Sequence, residues 1–143
     1  MIITLCGSQN AEHFVSEMKN TERRLIAEGH TVYSPDTLGP EKIVTEKWYQ
    51  DNYGREKFLE LKPVWTKTHF KKIEKSDAVL IMNHEKKGIR GYFGSNTLME
   101  LSVAFYLEKK IYFLNPIGED HPHYEEIIGL KPTVLNGDLA NLG

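Results

Sequence analysis

The sequence predicts an α/β fold, an open sheet of four to five mainly parallel strands with helices on both faces. Three observations carry this. Short, wholly apolar runs recur along the chain, as strands buried on both faces require. Segments with apolar residues at helical spacing lie between them, so strand and helix alternate from the start. Glycine, proline or asparagine interrupts the chain after each apolar run. The architecture this implies is Rossmann-like or flavodoxin-like.

Each element has its own signal. Ile2 to Cys6 is a continuous apolar run containing two isoleucines, and Gly7-Ser8-Gln9-Asn10 breaks it. Phe14, Met18, Leu25 and Ile26 recur at helical spacing, with Gly29 as the C-cap. His30 to Ser34 reads as a second strand closed by Pro35-Asp36. Residues 37–65 carry Gly39-Pro40, many charges and the aromatics Trp48, Tyr49, Tyr53, Phe58 and Trp65; helical pieces, as of a lid, are expected there. A polar helix from Thr66 to Lys75 leads into Ala78-Val79-Leu80-Ile81-Met82, the clearest buried strand. A loop bearing Gly88, Gly91 and Gly94 then feeds a helix from about Thr97 to Leu107. Ile111 to Leu114 is the fourth strand, stopped by Asn115-Pro116. The tail is expected to add a short helix near Tyr124 to Ile128 and a small strand near Thr133 to Leu135. No internal repeat or low-complexity segment is present.

Composition narrows the function classes. The 143 residues supply one core and not two, so residues 1–143 are expected to form a single domain. Hydrophobic residues make up 40% and charged residues 27%, a globular mix. A net charge of −2, with acids and bases interspersed, lacks the footprint of a duplex-DNA binder. The single cysteine, Cys6, excludes an internal disulfide and any metal site built from several cysteines. No apolar run approaches the roughly 18 residues of a transmembrane helix, and no signal pattern opens the chain. A cytoplasmic protein with no membrane and no duplex nucleic-acid partner is expected.

In open parallel sheets, ligands bind outside the carboxyl ends of the strands. That rule points to Gly7-Ser8, Pro35-Asp36, the segment from Asn83 to Asn96, and Asn115-Pro116. Glu100 is the most informative residue: it is expected in the first turn of the helix opened by Gly94-Ser95-Asn96-Thr97. The helix dipole there favours an ionised carboxylate, which can act as a nucleophile or hold a sugar hydroxyl. An acid in that place can equally serve only the helix terminus. Gly7 and Ser8 can offer backbone N–H groups to a phosphate or ribose oxygen, or simply form a strand-to-helix turn. Ser95 and Asn96 can complete such a cradle or cap the helix. Asn83, at the far end of the best strand, is a candidate sugar contact; Asp77, at its near end, is expected to be structural. Cys6 reads as a small core residue. His121 and His123 flank Pro122 without convergent ligands, so neither a metal nor a cofactor is expected. The aromatics between Trp48 and Phe70 can stack on a base, or pack a helix onto the core or a partner subunit.

The stretch from His69 to Pro116, about a third of the chain, resembles the nucleoside 2-deoxyribosyltransferase superfamily. The resemblance includes its nucleotide N-glycosidase branch, the deoxynucleoside 5′-monophosphate N-hydrolases. It rests on Lys75-Ser76-Asp77 before an apolar strand, a small-residue loop, Met99-Glu100 on a helix running to Ala104, and Lys110 to Leu114 as the next strand. Gly94 to Glu100 also resembles the loop of the lysine-decarboxylase-like nucleotide phosphoribohydrolases. The resemblance implies that Glu100 attacks the anomeric carbon, forming a glycosyl-enzyme intermediate that water or a second base resolves. It implies that Gly7-Ser8 meets the sugar or 5′-phosphate, with Gly94, Ser95 and Asn96 beside it. It further implies a homodimer or larger homo-oligomer in which a neighbour helps close the site, with Asn115 the candidate for that contact. The family places an aspartate eight residues before the position of Asp77, to handle the leaving base; here that residue is His69. Histidine exchanges protons near neutral pH and can protonate a departing base, although a lone histidine is also a common helix-surface residue.

The expected function is hydrolysis or transfer at the N-glycosidic bond of a nucleoside or nucleoside 5′-monophosphate. Its rival is a non-catalytic nucleotide-binding or sensing domain of the same fold, which the missing aspartate suits.

Overall fold

Five strands pair into one parallel sheet, and its middle strand, Ala78–Met82, is buried on both faces. The computed structural model describes residues 1–9, 11–35 and 46–143; the expectations placed on Asn10, Asp36 and Gly39-Pro40 lie outside them. In chain order the elements are β1 (Ile2–Gly7), α1 (Glu12–Ala27), β2 (Thr31–Tyr33), α2 (Glu46–Tyr53), α3 (Arg55–Glu74) and β3 (Ala78–Met82). They continue with β4 (His84–Lys86), β5 (Ile89–Tyr92), α4 (Ser95–Tyr106), β6 (Lys110–Phe113), α5 (Tyr124–Gly129) and β7 (Thr133–Val134). A 3-10 turn at Leu139–Asn141 ends the fold. The sheet order is β2-β1-β3-β6-β7, all parallel, which is the flavodoxin-like winding.

The strand period sorts the core into two layers. Ile3, Leu5, Ala78, Leu80 and Met82 face Met18 and Leu25 of α1. Cys6, Val79, Ile81 and Phe113 face the other way, toward Ile73 of α3, Leu101 and Ala104 of α4, and Ile127 of α5. Cys6 is thus in the core as expected, on the α3–α4 side. Asp77 also has its structural place: its Oδ2 accepts from the Ile2 N–H at 2.8 Å, tying β3 to β1.

Two segments differ from the sequence reading. The expected glycine-bearing loop is an antiparallel hairpin, β4–β5, inserted between β3 and α4. Its stem is anchored from both sides. His84 stacks on Phe14 of α1 with centroids 5.7 Å apart, and the buried ring of His121 packs on Tyr92 and Phe93 at 5.8 and 4.8 Å. The polar helix expected from Thr66 begins at Arg55 and passes through Pro63. Proline removes one rung of the ladder. Burial of Phe58, His69 and Ile73 along a single face keeps the helix continuous.

Gly91 shows why the hairpin needs glycine. Its φ is +65°, and a Cβ there would run into the Pro116 carbonyl and lie 2.8 Å from Asn83 Nδ2. Gly88 also has positive φ (+76°), but nothing lies within 4 Å of its Cβ position. Gly91→Ala should therefore lower the unfolding free energy by more than ~2 kcal/mol, strain and overlap adding. Gly88→Ala should cost only about 1 kcal/mol. Urea midpoints of the two variants check this; equal losses would mean the hairpin does not press on the Asn115-Pro116 turn.

Candidate active site at the carboxyl end of the sheet

The strand order reverses its direction of winding at β1 and β3, so the loops after these strands diverge and leave a crevice. The crevice is a cleft with two lobes that share Gln9, Lys62, Asn96 and Glu100. One lobe, of about 560 Å³, is walled by Pro35, Trp65, Phe70 and Met99. The other, of about 700 Å³, is polar and is formed by Gly7, Ser8, Lys86, Tyr92, Gly94, Ser95 and Thr97.

Glu100 stands where the lobes meet. The structure corrects its expected setting: α4 starts at Ser95, with Gly94 as N-cap, so Glu100 is in the second helical turn. A helix dipole acts mainly within the first turn, so the terminus does not define this carboxylate. Its neighbours do. Glu100 Oε2 lies 3.1 Å from His69 Nε2 of α3, and His69 Nε2 lies 3.5 Å from Cys6 Sγ of β1. The Glu100–His69 contact is close in distance but out of line for a hydrogen bond. Glu100 Oε2 and His69 Nδ1 are both buried without a hydrogen-bond partner. Buried polar atoms are nearly always paired, so an orphaned carboxylate oxygen in a cleft marks a place for a ligand or proton. His69, only 6% exposed, is not the helix-surface residue that its type alone would make it.

The remaining candidates divide into two groups. Gly7, Ser8, Gly94, Ser95 and Asn96 come together around the polar lobe, with Ser95 and Asn96 as the first residues of α4. A Cβ on Gly7 would approach Met82 Cβ to 2.9 Å, so glycine there lets β1 and β3 end side by side. Asn83 and Asn115 line neither lobe. Asn83 is wholly buried; its Nδ2 donates to the Asn115 carbonyl at 2.7 Å, and its Oδ1 accepts from the Asn115 N–H at 2.9 Å. Asn115 Nδ2 donates to the Asn83 carbonyl at 2.8 Å. The two amides expected to reach sugar and a partner subunit thus bond each other's backbone in this structure.

No protein-family model matches the chain, and no curated protein matches it. A structure search finds a 2-deoxyribosyltransferase from the psychrotolerant bacterium Bacillus psychrosaccharolyticus. The match covers 83% of this chain and 75% of that one, with a TM-score of 0.58 and 20% identity. The two share one fold. The open α/β sheet and the likeness to the 2-deoxyribosyltransferase fold were both expected from the sequence. That enzyme is described as a biocatalyst for nucleoside synthesis.

Sequence reasoning missed two features of the cleft. Lys62 and Lys86 bring cations to it, from a helix face and from the hairpin. Cys6 is the second, since it meets His69 and Glu100 although it lies in the core. Trp65, one of the aromatics expected to stack on a base or pack a helix, walls the apolar lobe, 4.9 Å from Tyr49 and 5.8 Å from Phe58 by ring centroids. Among the described residues no helix is long and apolar enough to cross a membrane.

Burial first, and the neighbouring Glu100 charge second, push the Cys6 thiol well above its ordinary range. The thiol therefore stays protonated at neutral and mildly alkaline pH, and the thiolate is the reactive form. Iodoacetamide should leave Cys6 unmodified in the folded protein over a period that fully alkylates the urea-unfolded chain, read by mass spectrometry. Rapid labelling of the folded protein would contradict this placement.

Proposed function

We propose that the protein cleaves or exchanges the N-glycosidic bond of a nucleoside 5′-monophosphate, with Glu100 as nucleophile and His69 as the acid for the leaving base. The observation that carries this reading is the unpartnered Glu100 Oε2, 3.1 Å from His69 Nε2 where the two lobes meet. The shared fold with a 2-deoxyribosyltransferase supports it. The cleft orients a substrate by its chemistry. A base would lie against Trp65, Phe70 and Met99, and a phosphate would lie among Ser8, Ser95, Lys62 and Lys86. The sugar between them then brings its anomeric carbon to Glu100.

In the first step the Glu100 carboxylate forms a bond to the anomeric carbon as the bond from that carbon to the base breaks. The electron pair leaves with the base nitrogen, which takes a proton from His69. In the second step a water oxygen, or the nitrogen of a second base, attacks the same carbon and returns the carboxylate. His69 then recovers a proton from the attacking group.

Glu100→Gln keeps the shape and removes the nucleophile. Base release by this variant, followed by chromatography, should fall on the order of a thousandfold or more while ligand binding persists. His69→Ala should slow poor leaving bases most and largely spare a p-nitrophenyl leaving group on the same sugar. Near-normal turnover by Glu100→Gln would remove the nucleophile role.

The second reading, a nucleotide-binding domain without turnover, is favoured by His69 in place of the aspartate of the resembled family. Tight binding with no base release from any nucleoside or monophosphate would select it.

Both readings put an anion in the polar lobe, where lysines and the N–H groups opening α4 meet a phosphate. A nucleoside 5′-monophosphate should bind roughly tenfold or more tightly than its parent nucleoside, about 1.4 kcal/mol. Added salt, Ser95→Ala and Lys86→Ala should each shrink this difference. Calorimetry on one matched pair decides it, and equal affinities would take the phosphate out of the site.

A further inference from the structure

The first strand and two helices bring a thiol, an imidazole and a carboxylate to one buried point. Cys6 Sγ, the His69 ring and the Glu100 carboxylate offer ligand atoms that all lie within 4.8 Å of one another. The measured edges are 3.5 Å from Cys6 Sγ to His69 Nε2 and 3.1 Å from His69 Nε2 to Glu100 Oε2. A tetrahedral zinc ion with Zn–S of about 2.3 Å and Zn–N and Zn–O of about 2.0–2.1 Å sets edges of roughly 3.5 and 3.3 Å. The site needs little movement to close on such an ion.

We propose that Cys6, His69 and Glu100 form a three-ligand binding site for zinc or a similar borderline-soft divalent cation, which holds Glu100 out of use. Three further facts point the same way. Glu100 Oε2 is buried with no hydrogen-bond partner, and a cation would coordinate it. A divalent ion placed between the thiol and the carboxylate would take both as anionic ligands. The donor set is the mixture of sulfur, imidazole nitrogen and carboxylate oxygen that zinc accepts, and His69 and Glu100 line the cleft, leaving a fourth position for water or ligand. Binding breaks the Cys6 S–H bond, forms a sulfur–metal bond and releases the proton to solvent. Zinc would then compete with substrate, because the nucleophilic carboxylate is one of its ligands. That consequence rests on the glycosidic reading, while the binding does not.

Cobalt(II) is the probe. Because Cys6 is the only cysteine of the chain, a thiolate-to-cobalt charge-transfer band can come from no other residue. Chelator-treated protein titrated with Co²⁺ should develop that band with a single equivalent, and Zn²⁺ should erase it. Calorimetry with Zn²⁺ should show tenfold or greater weakening in Cys6→Ser and in Glu100→Gln, and no change in His123→Ala. Cobalt binding without the band, or no binding, overturns the proposal in the unmodified protein, whatever the variants do. Zinc affinity that survives Cys6→Ser and falls in His123→Ala would place the metal elsewhere and also overturn it. Base release by metal-free protein is a separate measurement, so failure of the metal site and failure of the glycosidic reading remain distinguishable.

Discussion

Where β3 and β6 end, the chain must leave the sheet twice within a short distance, once into an inserted hairpin and once into a proline turn. The backbone groups released by these exits belong to buried Asn83 and half-buried Asn115 and need partners inside the fold. Asn83 and Asn115 satisfy them with three reciprocal hydrogen bonds of 2.7 to 2.9 Å. Gly91 of the hairpin closes onto the same turn, against the Pro116 carbonyl and the Asn83 amide. Position and chemistry follow from that closure. The hairpin brings Lys86 and Tyr92 to the polar lobe and delivers the chain to Gly94, where α4 begins. Loss of the asparagine pair would leave buried donors and acceptors unmet and release the wall of the cleft from the sheet.

The second constraint is strand alternation. With Ile3 and Leu5 committed to the α1 side, Cys6 must point to the α3–α4 side. That face carries Val79, Ile81 and Phe113, onto which α3 and α4 pack their buried residues. His69 and Glu100 are therefore brought to Cys6 by ordinary apolar packing of two helices on one sheet face. Moving β1 by one residue would turn Cys6 away and dissolve the cluster.

The same physics explains what the sequence disclosed. Uniform apolar runs such as Ala78–Met82 have only one comfortable environment, so the parallel sheet was legible, and with it the end whose loops form the cleft. The β4 strand was not, because His84-Glu85-Lys86 is short, polar and half exposed, and its pairing depends on Phe14 and His121 far away in the chain. The start of α3 was hidden by Pro63, whose local cost is overridden by tertiary burial. A polar residue at a strand end reads alike whether it faces ligand or backbone, and Asn83 and Asn115 chose backbone. Glu100, singled out by position and by resemblance, does line the cleft, although its setting was misjudged by a helical turn. The meeting of Cys6 and His69, 63 residues apart, has no spacing signature at all.

His69 in place of an aspartate also changes the electrostatics of the site. Two carboxylates at about 3 Å cannot both ionise, so such a pair shares a proton between them. A histidine and a glutamate 3.1 Å apart behave in the opposite way, since an imidazolium is attracted to the carboxylate and a neutral imidazole leaves it unpaired. Proton donation from His69 to a leaving base would therefore remove the positive charge beside Glu100 as its carboxylate is consumed in the new bond. The two changes compensate, and the buried pair passes from oppositely charged to neutral without stranding an isolated charge away from water. The His–Glu arrangement suits a covalent step on this ground. With the imidazole neutral, the same arrangement leaves a carboxylate oxygen without a positive partner, beside a thiol that can supply a second anionic ligand, and on that ground one cluster would suit both a nucleophile and a cation site.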